Sequence, residues 1–341
     1  MTATLGVLAL TGGCASNDPP EAPPPQPEPI HTAEYVQIGG IDQWIKISGT
    51  DRRNPIILFV HGGPGIASSP FTSGFSEWEK HFTVAHWDQR GAGRTYIRNG
   101  ESTGSTMTVE RMAADGIEVA LYLTQMLHKP KVVLVGASWG SILGVHMAHA
   151  RPDLFHAYVG ISQGVSWQRE LAAGYARVHE MAQSRNDVAA LDVLNGIGPP
   201  PWNSSEKLLQ YRKVLLACQA QITTAPDAPV AIAEEYRADF RDGWFRKADD
   251  FAARHFWGPT LSGPVTQVDL TRLTHFRIPI FFVKGEVDLS SPPEIARAYF
   301  ETADAPVKKF YLVPGAGHNP STSEADVVKE ILLTQVQPIA R

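Results

Sequence analysis

Two pentapeptides of the form Gly-x-Ser-x-Gly occur in the sequence, at Gly136–Gly140 and at Gly160–Gly164. A serine held between glycines on a sharp turn can act as a nucleophile, provided that a histidine takes its proton and an acid orients that histidine. Three fixed positions are weak evidence, and the pattern occurs twice, so context must choose. Both serines follow apolar, strand-like runs. Ser138 leads directly into the apolar helical stretch SILGVHMAHA (141–150). Ser162 leads into Gly164-Val165-Ser166-Trp167, where the texture of the chain changes. Ser138 is therefore the expected nucleophile, and Ser162 is expected to be a residue at the end of a strand, beside the pocket.

The proton acceptor and its partner are sought further along the chain. On sheets carrying a nucleophile elbow, the acid and then the histidine follow the serine, on loops after late strands. IPIFFV (278–283) runs into Lys284-Gly285-Glu286-Val287-Asp288, and VKKFYLV (307–313) runs into Pro314-Gly315-Ala316-Gly317-His318. Both loops would lie beyond the carboxyl ends of parallel strands, where such sheets place their sites. Asp288 is the expected acid and His318 the expected base, with Glu286 as the rival acid. An oxyanion needs backbone donors. His61-Gly62-Gly63-Pro64-Gly65 follows the run IILFV, so the Gly63 N–H is paired with the Trp139 N–H, and Gly62 is the alternative donor. His146 and His149 lie three residues apart on the helix after Ser138, without a carboxylate at matching spacing. His179-Glu180 lacks the second histidine of a zinc-protease helix. No metal or cofactor is expected.

The elements that must hold these residues alternate. YVQI (35–38) and WIKIS (44–48) read as a strand pair about Gly39-Gly40. IILFV (56–60), FTVAHW (82–87), VVLV (132–135) and AYVGI (157–161) read as strands. The spacing predicts a helix over 108–128 starting at Thr108, and another from Ser138 to about Ala150. After a long insertion the alternation resumes: strand 278–283, helix 293–303, strand 307–313 and helix 323–336. Strands alternating with helices predict an α/β fold with a mostly parallel sheet covered on both faces. The insertion, 165–269, is read as a helical cap. Within it Ile232, Tyr236, Phe240 and Trp244 recur every four residues, which predicts one helix face. That stripe either packs the insertion onto the sheet or walls the pocket.

Composition limits the remainder. The chain has 341 residues, 43% of them hydrophobic, with a net charge of −5; Asp18, Glu21 and Glu28 lie in a front segment without Lys or Arg, so residues 31–341 carry −2. A body so close to neutral offers no footprint for nucleic acid. Two cysteines cannot form a disulfide framework. Residues 1–14 hold a short apolar run ending at Thr11-Gly12-Gly13-Cys14, which reads as a secretory signal with a lipobox-like end, although Thr11 replaces the usual Leu and no basic residue comes first. Seven of the 26 prolines lie within 19–29, so 15–34 reads as a stiff, extended linker. Membrane contact is expected only through lipid on Cys14, with the body in the bacterial envelope or periplasm; without a working signal the protein would be cytoplasmic. Cys218 would then be a buried thiol. The core is expected at 35–164 and 270–341.

Five motifs in order, HGGPG (61–65), DQRGAGRT (88–95), GASWGS (136–141), GEVD (285–288) and GAGH (315–318), resemble the α/β-hydrolase superfamily and, within it, the prolyl aminopeptidase (proline iminopeptidase) family. The likeness runs over about 35–341. It implies a triad of Ser138, Asp288 and His318, oxyanion donors at Gly63 and Trp139, and a bracing role for Asp88 and Arg90. Family members hold the substrate's free amine with glutamates, one of which directly follows the triad aspartate. Here that position is Leu289, a residue expected at the substrate, and the insertion offers Glu170, Glu180, Glu206, Glu234 and Glu235 instead. The resemblance implies a serine hydrolase acting on short peptides, with an esterase or lactonase as the alternative and a non-catalytic small-molecule receptor as the remote one.

Overall fold

The computed structural model describes residues 26–224, 230–319 and 325–340. The leader 1–14 and the linker up to residue 25 lie outside the described residues. The chain forms an eight-stranded sheet of order β1-β2-β4-β3-β5-β6-β7-β8. The strands are β1 (Ile30–Ile38), β2 (Ile41–Gly49), β3 (Ile56–Val60), β4 (Thr83–Trp87), β5 (Val132–Ala137), β6 (Phe155–Ile161), β7 (Ile280–Gly285) and β8 (Lys308–Val313). β1 pairs antiparallel with β2, and β2 with β4; every other pairing is parallel. This is the α/β architecture expected from the alternation.

The first strand starts earlier than expected. Residues 30–34, read as linker, pair with 45–49. Only Ile30 and Ile38 of this edge strand are buried, so the hydrophobic signal is weak. The turn at Gly39-Gly40, both at positive φ, fixes its register instead.

The central strands are apolar throughout because both faces are covered. In β3, Ile56, Leu58 and Val60 join the core on one face, while Ile57 and Phe59 join the core on the other. In β5, Val132 and Leu134 alternate with Val133 and Val135 in the same way. Each such side chain contributes roughly 1.5–3 kcal/mol on burial. The helices α1 (Ser76–Glu79), α2 (Gly93–Asn99), α3 (Val109–Met126) and α4 (Trp139–Ala150) follow within the first half. Thr108 caps α3 by accepting the Arg111 N–H at 3.1 Å.

Between β6 and β7 the chain is helical, with α5 (Trp167–Ser184), α6 (Val188–Ile197), α7 (Ser205–Ile222), α8 (Arg237–Arg241) and α9 (Trp244–Phe256). Its neck closes where Leu270 N–H donates to the Val165 carbonyl and Trp167 N–H to the Val268 carbonyl. Expected as one cap, the insertion divides instead. α5, α6 and α7 share a separate core built on Val178, Leu194, Trp202, Tyr211, Leu215 and Cys218. α9 joins the main core through Ala248, Phe251, Ala252 and Phe256, spaced for one helix face. The expected stripe is also corrected. Gly243, left-handed at φ 76°, breaks the helix before Trp244, which is exposed. Tyr236 is fully buried and accepts the Trp44 indole N–H at 2.8 Å, so the segment packs against β2 rather than walling the pocket. α10 (Pro293–Thr302) and α11 (Ala325–Ile331) complete the layers, and the chain continues past α11 as a π-helical and then a 3₁₀ turn.

Candidate active site

The strand ends bring the distant motifs to one rim. Ser138 stands at the junction of β5 and α4 with φ 52° and ψ −119°, a strained conformation for a residue with a side chain. The flanking glycines are dictated by contact. A Cβ on Gly136 would lie 2.4 Å from the Gly140 carbonyl oxygen, and one on Gly140 would lie 2.0 Å from that of Val60. The turn is locked by Ser138 N–H donating to the Ile161 carbonyl at 2.9 Å.

Three side chains from three strand ends form a relay. Ser138 Oγ lies 2.9 Å from His318 Nε2, and His318 Nδ1 lies 3.0 Å from both oxygens of Asp288. The carboxylate accepts at Nδ1, so that nitrogen carries a proton and Nε2 is left to face the serine. Asp288 is fully buried. Its oxygens also accept the backbone N–H groups of Ser290 (2.9 Å) and Ser291 (3.0 Å) and the ammonium of Lys284 (2.8 Å). Burial alone would push this carboxyl up, but the imidazole of His318 and the Lys284 charge outweigh it. The group is held well below the usual carboxylate range. Lys284, itself fully buried in β7, also donates to the carbonyl and hydroxyl oxygens of Ser291.

Glu286 does not face the histidine. It is exposed and accepts the Gly315 N–H at 3.0 Å, bracing the turn that leads to His318. Ser162 has a related part: its hydroxyl donates to the His318 carbonyl oxygen. A hydroxyl engaged there supports the loop of the base, away from the base's reactive nitrogen.

The HGGPG loop lies against the elbow. A Cβ on Gly62 would lie 3.2 Å from Ser138 Cβ, and Gly63 has φ 120°. His61 is buried, which pushes its imidazole down to about 4 against a smaller opposing effect of its hydrogen bond to the Gly62 carbonyl. It is neutral and structural. Gln89, within the DQRG motif, ties both halves together: its amide donates to the His61 carbonyl at 2.8 Å, and its oxygen accepts the Trp139 indole N–H at 3.0 Å. Burial raises the Asp88 carboxyl to about 7 against the opposing hydrogen bond from the Arg94 N–H. Arg90 pairs with Asp115 at 2.9 Å and donates to the Gly39 carbonyl, bracing α3 against the hairpin.

A cavity of about 100 Å³ opens above the serine, lined by Ser138, His318, Gly63, Trp139, Ser162 and, from the insertion, Glu170, Tyr211, Arg212 and Trp257. Burial pushes the Glu170 carboxyl up to about 7, partly countered by the Lys284 charge, and one of its oxygens accepts the Val165 N–H at 2.8 Å. The other candidate glutamates lie elsewhere. Glu180 lines a separate groove with His179, Glu206 is exposed, Glu234 pairs with Arg237, and Glu235 pairs with Lys46. Leu289, expected at the substrate, is instead buried among Val178, Tyr211 and Leu215, because an apolar side chain gains more there than at a polar rim. Gly62 supports the elbow and is likewise not among the cavity's lining residues. Gln219 of α7 accepts the Leu289 N–H and donates to the Val287 carbonyl, fastening the acid's loop to the insertion. His149 donates to or accepts from no triad residue; its Nδ1 meets the Val145 carbonyl at 2.9 Å.

Sequence reasoning missed Lys284, Gln89, Gln219 and Arg212. Lys284 carried a signal, a lone charge ending the apolar run of a central strand four residues before the acid. The other three are polar residues in polar surroundings, and only the fold gives them meaning.

An elbow serine, a buried acid and a histidine at the carboxyl ends of three parallel strands define a hydrolase class. The chain belongs to the α/β-hydrolase fold family, whose sequence model matches residues 55–325. It is 30% identical to the probable aminopeptidase YbaC of Bacillus subtilis (strain 168) over 90% of this chain and 97% of that one. It is 26% identical to the proline iminopeptidase of Neisseria gonorrhoeae over 85% and 91% of the two chains. The crystal structure of proline iminopeptidase from Mycobacterium smegmatis shares the fold with a TM-score of 0.64 at 16% identity, covering 91% of this chain and 99% of the other. Among the described residues, no helix is long and apolar enough to cross a membrane.

Proposed function

We propose that the protein is a serine hydrolase of the prolyl aminopeptidase type, releasing N-terminal residues from short peptides through an acyl-enzyme. The observation that carries this reading is the continuous relay from Ser138 Oγ through His318 to Asp288, at 2.9 and 3.0 Å. Ser138 attacks the carbonyl while His318 Nε2 takes its proton. His318 then returns that proton to the leaving amine, and water repeats the sequence to release the acid. Asp288 keeps the imidazole in the required tautomer and stabilises its cation. The backbone N–H groups of Gly63 and Trp139 receive the oxyanion. The Trp139 N–H is suited to this because first-turn amides have no intrahelical acceptor. Helices α5–α7 act as the cap. The cavity is walled on the insertion side by Trp167, Tyr211 and Trp257, which favours a small substrate.

Glu170 is the group that receives the substrate's ammonium. It shares the cavity with Ser138, and partial desolvation raises its pKa, a cost that a cation would relieve. A panel of proline-β-naphthylamide, other aminoacyl amides, simple esters and lactones tests the reading. Turnover of free-amine amides, with N-acetylated analogues refused, is the expected result. Leu289 favours the second reading, an esterase or lactonase, because an amine-binding carboxylate is missing from the position after the acid. Turnover of esters alone would select it. The site of action is the bacterial envelope, with Cys14 lipidated; incorporation of labelled palmitate, lost in Cys14→Ser, tests that.

A further inference from the structure

Arg212 projects from α7 into the cavity that holds Ser138 and His318. Its guanidinium lies over the Trp257 ring, 5.2 Å from the centroid, and makes no hydrogen bond or ion pair with any described residue. Arg90, Arg94 and Arg111, by contrast, each meet a carboxylate at 2.8–2.9 Å. The residue is half-buried, and burial lowers its pKa with only the neighbouring Tyr211 acting against it. Glu170 lines the same cavity, yet the two opposite charges do not pair. The charges that act on Glu170 are those of Lys284 and Asp288. A cavity that keeps an acid and a guanidinium apart presents complementary ends to a ligand carrying both charges.

We propose that Arg212 is the receptor for a substrate carboxylate, making short zwitterionic peptides, with a free amine and a free C-terminal carboxylate, the substrate class. This rests on the aminopeptidase reading for the amine end. The carboxylate end rests on Arg212 alone. The planar guanidinium offers a two-bonded grip on a carboxylate while its face stays on the Trp257 indole, and that stacking fixes the fork before substrate arrives. The same contact gives nothing to a neutral amide.

The test compares paired substrates within each protein, so that general damage to a variant cancels. The first pair is Pro-Ala and its C-terminal amide. The second is the p-nitrophenyl half-ester of glutarate and p-nitrophenyl butyrate. Wild-type protein should favour the carboxylate member of the pair in kcat/KM by about 10- to 100-fold, mostly through KM. Arg212→Gln should bring the ratio close to one, and Arg212→Lys should retain part of it. If peptides are cleaved and wild type shows no preference for the acid, or Arg212→Gln keeps the preference, the carboxylate receptor is refuted while the aminopeptidase reading stands. If peptides are refused and esters are cleaved, the aminopeptidase reading falls and the ester pair decides. A half-ester preference lost in Arg212→Gln upholds the carboxylate receptor; the absence of such a preference overturns it.

Discussion

The rim of strand ends and the wall of inserted helices treat charge in opposite ways. On the rim the charges of the relay and its support are answered within the protein. Asp288 accepts two backbone N–H groups, an ammonium and an imidazole N–H, and Lys284 is satisfied by Asp288 and Ser291. On the wall, Arg212 has only an indole face, and Glu170 carries a carboxyl raised by burial. A relay that moves one proton needs fixed geometry, which satisfied hydrogen bonds supply. A recognition surface needs unmet charge, which the ligand then meets. The molecule thus separates the part that performs the reaction from the part that selects what is acted on.

Breaking the rim should cost most. Ser138→Ala should lower kcat by about 10⁶-fold, as removal of a triad nucleophile does, and should be read with p-nitrophenyl esters as well as peptides because it precedes any selectivity. Lys284→Met tests whether the buried charges answer one another. With its cation removed, Asp288 remains a buried anion, and urea unfolding at pH 7 should show a loss of about 3 kcal/mol. The sign with pH follows from the depressed carboxyl. Its contribution is complete above the ordinary carboxyl range, about pH 4, and is lost only as pH falls below it. In Lys284→Met only the folded-state carboxyl is raised, so the acid-side loss should be smaller and should end at a higher pH.

The wall should yield smaller, substrate-dependent effects. Glu170→Gln should raise KM for free-amine substrates roughly 10- to 100-fold and leave the KM of neutral esters within about twofold. Since the Glu170 carboxyl ionises near pH 7, KM for free amines in the wild type should fall as pH rises through about 7. The glutamine variant should lose this dependence. In the absence of substrate the sign for stability is opposite: a raised carboxyl favours the fold most below about pH 4.5, and that advantage is lost as pH rises toward 7. The least effect belongs to Ser162→Ala, which removes one hydrogen bond to the His318 carbonyl. A loss of about 1 kcal/mol, roughly fivefold in kcat, with reaction at Ser138 intact, would mark it as a positioning residue.

The two regions also differ in how far their sequence could be read. The rim was legible because its constraints are local. Gly136 and Gly140 are required by carbonyl oxygens 2.0–2.4 Å from where a Cβ would stand, and the loops after β7 and β8 announce themselves by apolar runs ending in glycine. The wall was not, because its residues depend on helix packing far along the chain. Leu289 and Tyr236 show the difficulty. Leu289 follows the acid directly yet turns into the α5–α7 core, and Tyr236 sits in a regular four-residue repeat that Gly243 interrupts. Arg212 has no motif at all. Its meaning comes from Trp257, 45 positions away, and from the lack of a carboxylate beside it.

The most direct measurement is the site of reaction with a fluorophosphonate, mapped by peptide mass. A single adduct on Ser138 is expected, formed in wild type and in Ser162→Ala and lost in His318→Ala. An adduct on Ser162, or labelling of Ser138 that is indifferent to His318, would contradict it.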